Sequence, residues 1–276
     1  MSGRLLLIGG TGFLGSRVAD RLASRKPLVL VRPSSDLAHL PPGLELVHGD
    51  LNSQPLPLAG VDTVIYCASM GFGHVPSLIG DLQTASRRGV FVSTTAIFTS
   101  LPAPSRAVRL EAEAAVRASS LEWTILRPTM IYGTARDRNI SRLLLFLRRW
   151  PVFPLCGNAL WQPVHVEDVA DAVVAALDSP AAIGHAYNLP GAAPLRFSDL
   201  VRTAARAVGR RVALVPVPVG LAVIGAKLTR VVAEEQVRRL AEDKAFSFIE
   251  AANDFGYVPR TFEAGVAAEA RLLDVG

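Results

Sequence analysis

"RLLLIGGTGFLG", residues 4 to 15, is the stretch on which the fold turns. Arg4 to Ile8 is a short apolar run of strand character, and glycines follow it at once. Phe13 to Arg25 then has helical spacing, with Leu14, Val18 and Leu22 on one face. Gly10, Gly12 and Gly15 satisfy a G-x-G-x-x-G spacing, and Gly9, Gly12 and Gly15 satisfy G-x-x-G-x-x-G. The physics is the same for both. One glycine permits the sharp strand-to-helix turn, another lets backbone approach a pyrophosphate, and a third lets the helix pack on the sheet. The helix N-terminus then presents unpaired N–H groups and partial positive charge to phosphates. The stretch predicts a dinucleotide cradle built from Gly9, Thr11, Gly12, Phe13, Leu14 and Gly15.

Strands and helices alternate beyond it. Pro27 to Val31, Leu44 to Val47, Asp62 to Cys67, Val90 to Ser93 and Trp123 to Leu126 are apolar and strand-like. Pro76 to Arg88 and Arg106 to Ala118 read as helices between the later strands. This order predicts an α/β fold, a doubly wound parallel sheet of the Rossmann type covered on both faces. After Arg127-Pro128 the rhythm becomes irregular, with prolines at 151, 154 and 163. Helical spacing returns at Glu167 to Leu177 and Phe197 to Val208, and "AYNLPG", residues 186 to 191, reads as a strand rejoining the main sheet. The expected organisation is a cofactor-binding domain over residues 1–130, to which 160–210 return. A smaller, C-terminal substrate lobe comes from 131–160 and 211–276.

Composition sets the bounds. Half of the 276 residues are hydrophobic and 19% are charged, which suits a large buried core and argues against disorder. The formal charge of +5 suits an acidic ligand such as a phosphate, but it is too mild and dispersed to indicate nucleic acid. Lys26, Lys227 and Lys244 are the only lysines, so arginine carries the positive charge. Cys67 and Cys156 form no metal or redox motif; we expect no metal and a reducing, cytoplasmic setting. Val212 to Ala226 is uncharged for 15 residues but is too short for a membrane span and contains Pro216 and Pro218. It reads as a strand, a turn and the start of a buried helix. "RLLLFLRRW", residues 142 to 150, admits a basic membrane-surface helix, but a half-buried helix capping a pocket is the preferred reading.

The second strand, "LVLV", ends in Arg32, and Asp36 lies beyond it in the loop. An acidic residue at the strand end would accept hydrogen bonds from an adenosine 2′-hydroxyl, whereas an arginine pairs with a 2′-phosphate. Arg32 therefore predicts NADP(H) in preference to NAD(H).

Gly9 to Gly15, "HGDL" at 48 to 51, "VIYCAS" at 64 to 69, "LRPTMIYG" at 126 to 133, "PVHVEDVADAV" at 163 to 173 and "GYVPRTFEAGV" at 256 to 266 follow one order. In that order the chain resembles the extended or atypical short-chain dehydrogenase/reductases, the group of NAD(P)-dependent nucleotide-sugar epimerases and dehydratases. The resemblance implies that Asp50 and Leu51 contact the adenine, that Cys67, Ala68 and Ser69 line the cofactor, and that Pro128 and Thr129 sit near the nicotinamide. It assigns His165, Glu167 and Asp168 to a mainly structural motif. It also implies a small-molecule substrate of the nucleotide-sugar kind and a homodimer formed through helices around residues 76–88 and 106–118.

Members of that family usually carry Ser/Thr after the fifth strand and then Tyr-x-x-x-Lys, in which the tyrosine moves a proton while hydride moves at the nicotinamide. Here "STTAIFTSLPAPSRAVRLEAE", residues 93 to 113, contains neither tyrosine nor lysine. Thr95 matches the Ser/Thr position. With the register set by "LEAE", Ser105 takes the tyrosine position and Arg109 the lysine position. Arg109 retains a charge able to bond the ribose. A serine hydroxyl is a far weaker acid than a phenol near pKa ~10, so Ser105 is a poor acid/base and reads as a helix N-cap. Tyr132, with Arg136 four residues on, is the best remaining tyrosine; Thr95, a water or the substrate are the other proton sources. Two classes of function follow: an NADP(H)-dependent oxidoreductase or epimerase working without the usual pair, or a non-catalytic NADP(H)-binding sensor or assembly protein.

Overall fold

A computed structural model describes residues 3–51, 56, 58–101, 103–218, 220 and 242–274. β1 (Arg4–Ile8) and α1 (Phe13–Leu22) flank the glycine turn, followed by β2 (Leu28–Val31), β3 (Glu45–His48), β4 (Val61–Tyr66), α2 (Val75–Ala85), β5 (Arg88–Val92), α3 (Pro104–Ala118) and β6 (Glu122–Pro128). The chain then leaves the sheet through β7 (Ile131–Tyr132), α4 (Ile140–Arg149), β8 (Val152–Leu155) and β9 (Leu160–Trp161). β10 (Val164–His165) leads into α5 (Val166–Asp178), and β11 (His185–Leu189) rejoins the sheet. β12 (Leu195–Arg196), α6 (Phe197–Ala207), β13 (Ala213–Pro216) and the helices Ile249–Phe255 and Phe262–Asp274 follow.

The seven-stranded sheet runs β3-β2-β1-β4-β5-β6-β11, and every neighbouring pair in it is parallel. Parallel strands of this kind need cover on both faces, and the period of two along β1 shows it being met. Leu7 joins Val18 of α1 and Val169 of α5 in one apolar layer. Leu6 and Ile8 point the other way, into a layer with Leu82 of α2 and Val116 of α3. Each such fully buried Leu or Ile contributes about 1.5–3 kcal/mol, which is why the strand register holds. A third cluster joins α4, α6 and Phe262–Asp274 through Leu144, Leu147, Leu200, Ala204, Val266 and Ala270. The doubly wound α/β architecture expected from the sequence is the one observed.

Three local expectations change. The first helix ends at Leu22 and continues as a single 3-10 turn over Ala23–Arg25, because Lys26 adopts φ +49 to redirect the chain into β2. Ser105 is not the cap of α3: Pro104 begins the helix with its pre-set φ, Ala103 is the cap residue, and Ser105 lies inside the first turn. Of the stretch 212–226, the strand forms over Ala213–Pro216, but the expected buried helix falls outside the described residues apart from Gly220. Among the described residues, no helix is long and apolar enough to cross a membrane, and no cluster of His, Cys, Asp and Glu is arranged to hold a metal.

Candidate functional site: a dinucleotide cradle beside an aromatic cavity

The glycine turn is dictated by close approaches. Gly9 adopts φ +82, and a Cβ there would lie 2.6 Å from the Ala68 nitrogen; a Cβ on Gly15 would lie 2.0 Å from the Gly9 oxygen. Gly12 differs, since a Cβ there would meet only the Gly9 oxygen, at 3.1 Å, and otherwise enter open space. Gly12 is the N-cap of α1, with no side-chain cap and no acidic residue in the first turn. The N–H groups of Phe13, Leu14 and Gly15 therefore have no partner within the helix, and its dipole is not neutralised. These residues fit a pyrophosphate. The Arg136 Nη2 donates to the Thr11 carbonyl at 3.1 Å, bringing a cation beside the cradle from 125 residues away.

The strand ends carry the other residues singled out in the sequence. Cys67 follows β4 and donates its N–H to Ile8 O at 2.8 Å, while Ala68 abuts Gly9. Burial pushes the Cys67 thiol up to about 12, so it is inert as a thiolate. The Ser69 Oγ accepts from Gly71 N at 3.2 Å and caps a short turn. Arg32 lies just past β2; its N–H donates to the Ser35 Oγ at 3.0 Å, and its exposed side chain pairs with no acid among the described residues. Asp50 and Leu51 lie just past β3, with Leu51 packed on the layer that contains Leu82. Thr95 is buried, and its Oγ1 reaches the Pro128 carbonyl at 3.4 Å, tying the end of β5 to that of β6.

A cavity of about 520 Å³ opens here, lined by Thr94, Thr95, Thr129, Met130 and Trp161, with Asn139 and Arg142 from the start of α4. Its far wall is the segment 242–246, which sequence reasoning missed. Glu242 accepts from Thr99 Oγ1 and from Ser100 N, both at 2.7 Å. Burial raises the Glu242 carboxyl, but the bonds from Ser100 and Thr99 and the charge of Lys244 outweigh it and hold the group below the ordinary carboxylate range. Asp243 Oδ1 accepts from Leu160 N at 2.7 Å, the Lys244 Nζ sits 3.9 Å over the Trp161 ring, and Phe246 N donates to Gln162 Oε1 at 2.8 Å. No motif marks these residues; the only signal is a compact "EDKAF" before the final helices. The expected role of 142–150 as a half-buried helix beside a pocket agrees with α4 and Arg142.

Three residues stand apart from that cavity. Ser105 and Arg109 do not line it; they bond each other, Arg109 Nη1 to Ser105 Oγ at 2.9 Å, and the Arg109 guanidinium packs over Gly71. Tyr132 is fully buried, edge-on to His165 at 5.3 Å, with its hydroxyl 3.5 Å from the Phe262 carbonyl. Burial first, then the charges of Asp168 and Glu269, raise its phenol far above the ordinary value. Tyr132, the tyrosine expected as a substitute acid/base, thus does not line the cavity and lies wholly inside the packed lobe. Nearby, His165 Nδ1 accepts from Glu167 N, Asp168 binds Arg260 at 2.7 Å, and Glu167 pairs with Arg21 at 2.8 Å, so all three have packing and pairing partners.

Residues 9–180 match the protein family described as NAD(P)H-binding. The chain belongs to this NAD(P)H-binding family. Over 215 residues it is 31% identical to the mitochondrial NADH dehydrogenase [ubiquinone] 1 alpha subcomplex subunit 9 of Arabidopsis thaliana. That alignment covers 67% of this chain and 53% of the plant protein, so the chain spans about half the length of that relative. An NAD(P)H azoreductase of Xenophilus azovorans is 28% identical over 226 residues, covering 77% of each. Among solved structures, MoeE5 in complex with UDP-glucuronic acid and NAD superposes with a TM-score of 0.75 at 20% identity, covering 99% of both chains. At that identity the likeness concerns the fold, and it agrees with the short-chain dehydrogenase/reductase resemblance read from the motifs. The parallel sheet and its glycine turn are thus those of an NAD(P)H-binding protein.

Proposed function

We propose that this NAD(P)H-binding protein is an NADP(H)-dependent reductase of a small, partly apolar substrate with a polarised double bond, working without a Tyr-x-x-x-Lys pair. The observation that carries the reading is the cavity of about 520 Å³ set against the strand ends, with Thr95 in its wall and Ser105 outside it. The cavity has the size and lining of a small-molecule site. In this reading Gly9, Thr11, Gly12, Phe13, Leu14 and Gly15 hold the pyrophosphate, and Arg32 holds the 2′-phosphate. Asp50 and Leu51 meet the adenine, Cys67, Ala68, Ser69 and Pro128 flank the rest of the cofactor, and Arg109 contacts the ribose. Residues 1–130 and 160–210 form the cofactor domain, and 131–160 with 211–276 form the substrate lobe.

Bound in this way, the nicotinamide supplies hydride at the cavity. The chain does the rest. Trp161, Phe246 and Met130 exclude bulk water and favour a flat or apolar substrate, and Lys244 and Arg142 offer positive charge where negative charge develops on the substrate heteroatom. With hydride so supplied to one atom of the double bond, a proton would have to reach the other. Thr95 Oγ1, anchored on Pro128 O, orients a water that delivers it, so solvent replaces the phenol as the proton source. The NAD(P)H azoreductase relative supports the reductase direction.

The test is to scan the purified protein for bound nucleotide and then follow NADPH oxidation against quinones, azo compounds and enones. Thr95→Val should lower kcat by about 100-fold, the scale of losing the group that positions the proton-donating water, with NADPH affinity unchanged. A second reading, a cofactor-dependent assembly subunit, is favoured by the 31% identity to the plant NADH dehydrogenase subunit. Tight NADPH binding with no turnover across the panel would select it.

A further inference from the structure

β8 and β13 pair in parallel, with Val152 opposite Ala213 and Pro154 opposite Val215. Side chains on such a ladder alternate between its faces. Phe153, Leu155 and Leu214 turn inward and pack on the cluster around α6. The opposite face carries Val152, Pro154, Ala213 and Val215, all exposed, with Val152 at 46% and Val215 at 48%. Trp150 is extended at φ −122 and ψ 126, so it continues that face one alternation before Val152, and it is 54% exposed. The face therefore ends in an indole and has no polar side chain along the ladder.

Its rim is cationic. The Arg149 guanidinium lies 5.6 Å over the Trp150 ring, and exposed Arg211 precedes Ala213 by one alternation, with Arg210 beside it. None of the three pairs with an acidic group among the described residues. An indole at an apolar edge, shallow aliphatic side chains and guanidinium groups without an acidic partner among the described residues together match the boundary between phosphate headgroups and acyl chains. Guanidinium groups need no fixed counter-residue there, because mobile lipid phosphates supply the charge.

We propose that the face formed by Trp150, β8 and β13 docks the protein peripherally on an anionic lipid bilayer. The contact is superficial: apolar side chains enter the headgroup boundary, and no segment crosses the bilayer. This inference is independent of the reductase reading.

Co-sedimentation of the full chain with vesicles tests it. Binding should be strong to phosphatidylcholine/phosphatidylglycerol vesicles, weak to phosphatidylcholine alone, and reduced by added salt. The surface pair Arg149→Glu/Arg211→Glu, and separately Val152→Asp/Val215→Asp, should each lower the vesicle partition by about tenfold or more, with melting temperature and NADPH affinity unchanged. If the aspartate pair lowers the melting temperature, the arginine pair alone decides. Equal partition onto both vesicle types, or none onto either, would overturn the proposal. So would a vesicle-free doubling of mass by light scattering that Val152→Asp abolishes, because the face would then be covered by a second copy of the chain.

Discussion

Arg109 and Ser105 face each other across one turn of α3, and the Arg109 Nη1 donates to the Ser105 Oγ at 2.9 Å. Residues four apart on a helix are neighbours, so this contact follows from the same spacing that places the family's tyrosine and lysine side by side. Here the serine accepts a hydrogen bond from the arginine, and that arginine also lies against Gly71, on the turn that follows β4. The two positions stay paired in the fold, and the proposed reading gives them no acid–base role.

Ser105→Ala should consequently leave any turnover nearly intact, since the hydroxyl supplies no proton. Arg109→Ala should weaken NADPH binding by about 1–3 kcal/mol, the usual cost of losing a charged donor. Steady-state kinetics and calorimetry on both variants check this. A 100-fold loss of turnover in Ser105→Ala with unchanged cofactor affinity in Arg109→Ala would reverse both assignments.

Arg32 stands exposed at the end of β2 with its guanidinium unclaimed by any acid among the described residues. If it clamps a 2′-phosphate, NADPH should bind more tightly than NADH by about 1.5–3 kcal/mol, roughly 10- to 150-fold. Arg32→Ala should erase most of that difference. Titration of both cofactors into wild type and variant measures it, and equal wild-type affinities would rule the clamp out.

Gly12 is the glycine of the turn whose missing Cβ would meet a single backbone atom, the Gly9 oxygen at 3.1 Å, and otherwise open space. Gly12→Val should fill the place proposed for the pyrophosphate and abolish NADPH binding. The cluster around Leu144 and Leu200 should remain folded, as read by near-ultraviolet circular dichroism of the surrounding aromatics. Wild-type cofactor affinity in the valine variant would put the phosphate cradle elsewhere.

Glu269, on the helix Phe262–Asp274, is fully buried, and its oxygens have no well-formed hydrogen bond. Burial first, then the neighbouring Asp137, pushes its carboxyl up to about 9. Asp137 itself caps the start of α4, where its Oδ1 accepts from Ile140 N at 2.9 Å and its Oδ2 from Ser141 N at 3.2 Å. A glutamate in the unfolded chain titrates near ~4.3. Between these values the folded state holds a proton that the unfolded state has released, so stability falls as pH rises, by up to about 1.4 kcal/mol per pH unit. The contribution is complete below the unfolded value and is lost as pH climbs towards the folded one. Glu269→Gln removes the titration, so its melting temperature should stay flatter than that of wild type from about pH 5 to pH 9. Parallel profiles for the two proteins would show that Glu269 does not titrate in this way.

What the sequence determined by itself is local. The strand–glycine–helix pattern of residues 4 to 22, the β-branched runs of the parallel strands and the spacing of Thr95, Ser105 and Arg109 are written in adjacent residues. Periodicity and glycine chemistry can be read without knowing what lies across the sheet. Tertiary structure decided the rest. Thr99 and Glu242, which join two walls of the cavity, are 143 residues apart, and Arg136 reaches Thr11 across 125. Tyr132 and Thr95 are both hydroxyl residues near strand ends, yet one is sealed among His165 and Phe262 and the other lines the cavity. Nothing in the neighbouring sequence separates them, because burial depends on which distant helices arrive to cover each side chain, and burial is what raises the phenol of Tyr132.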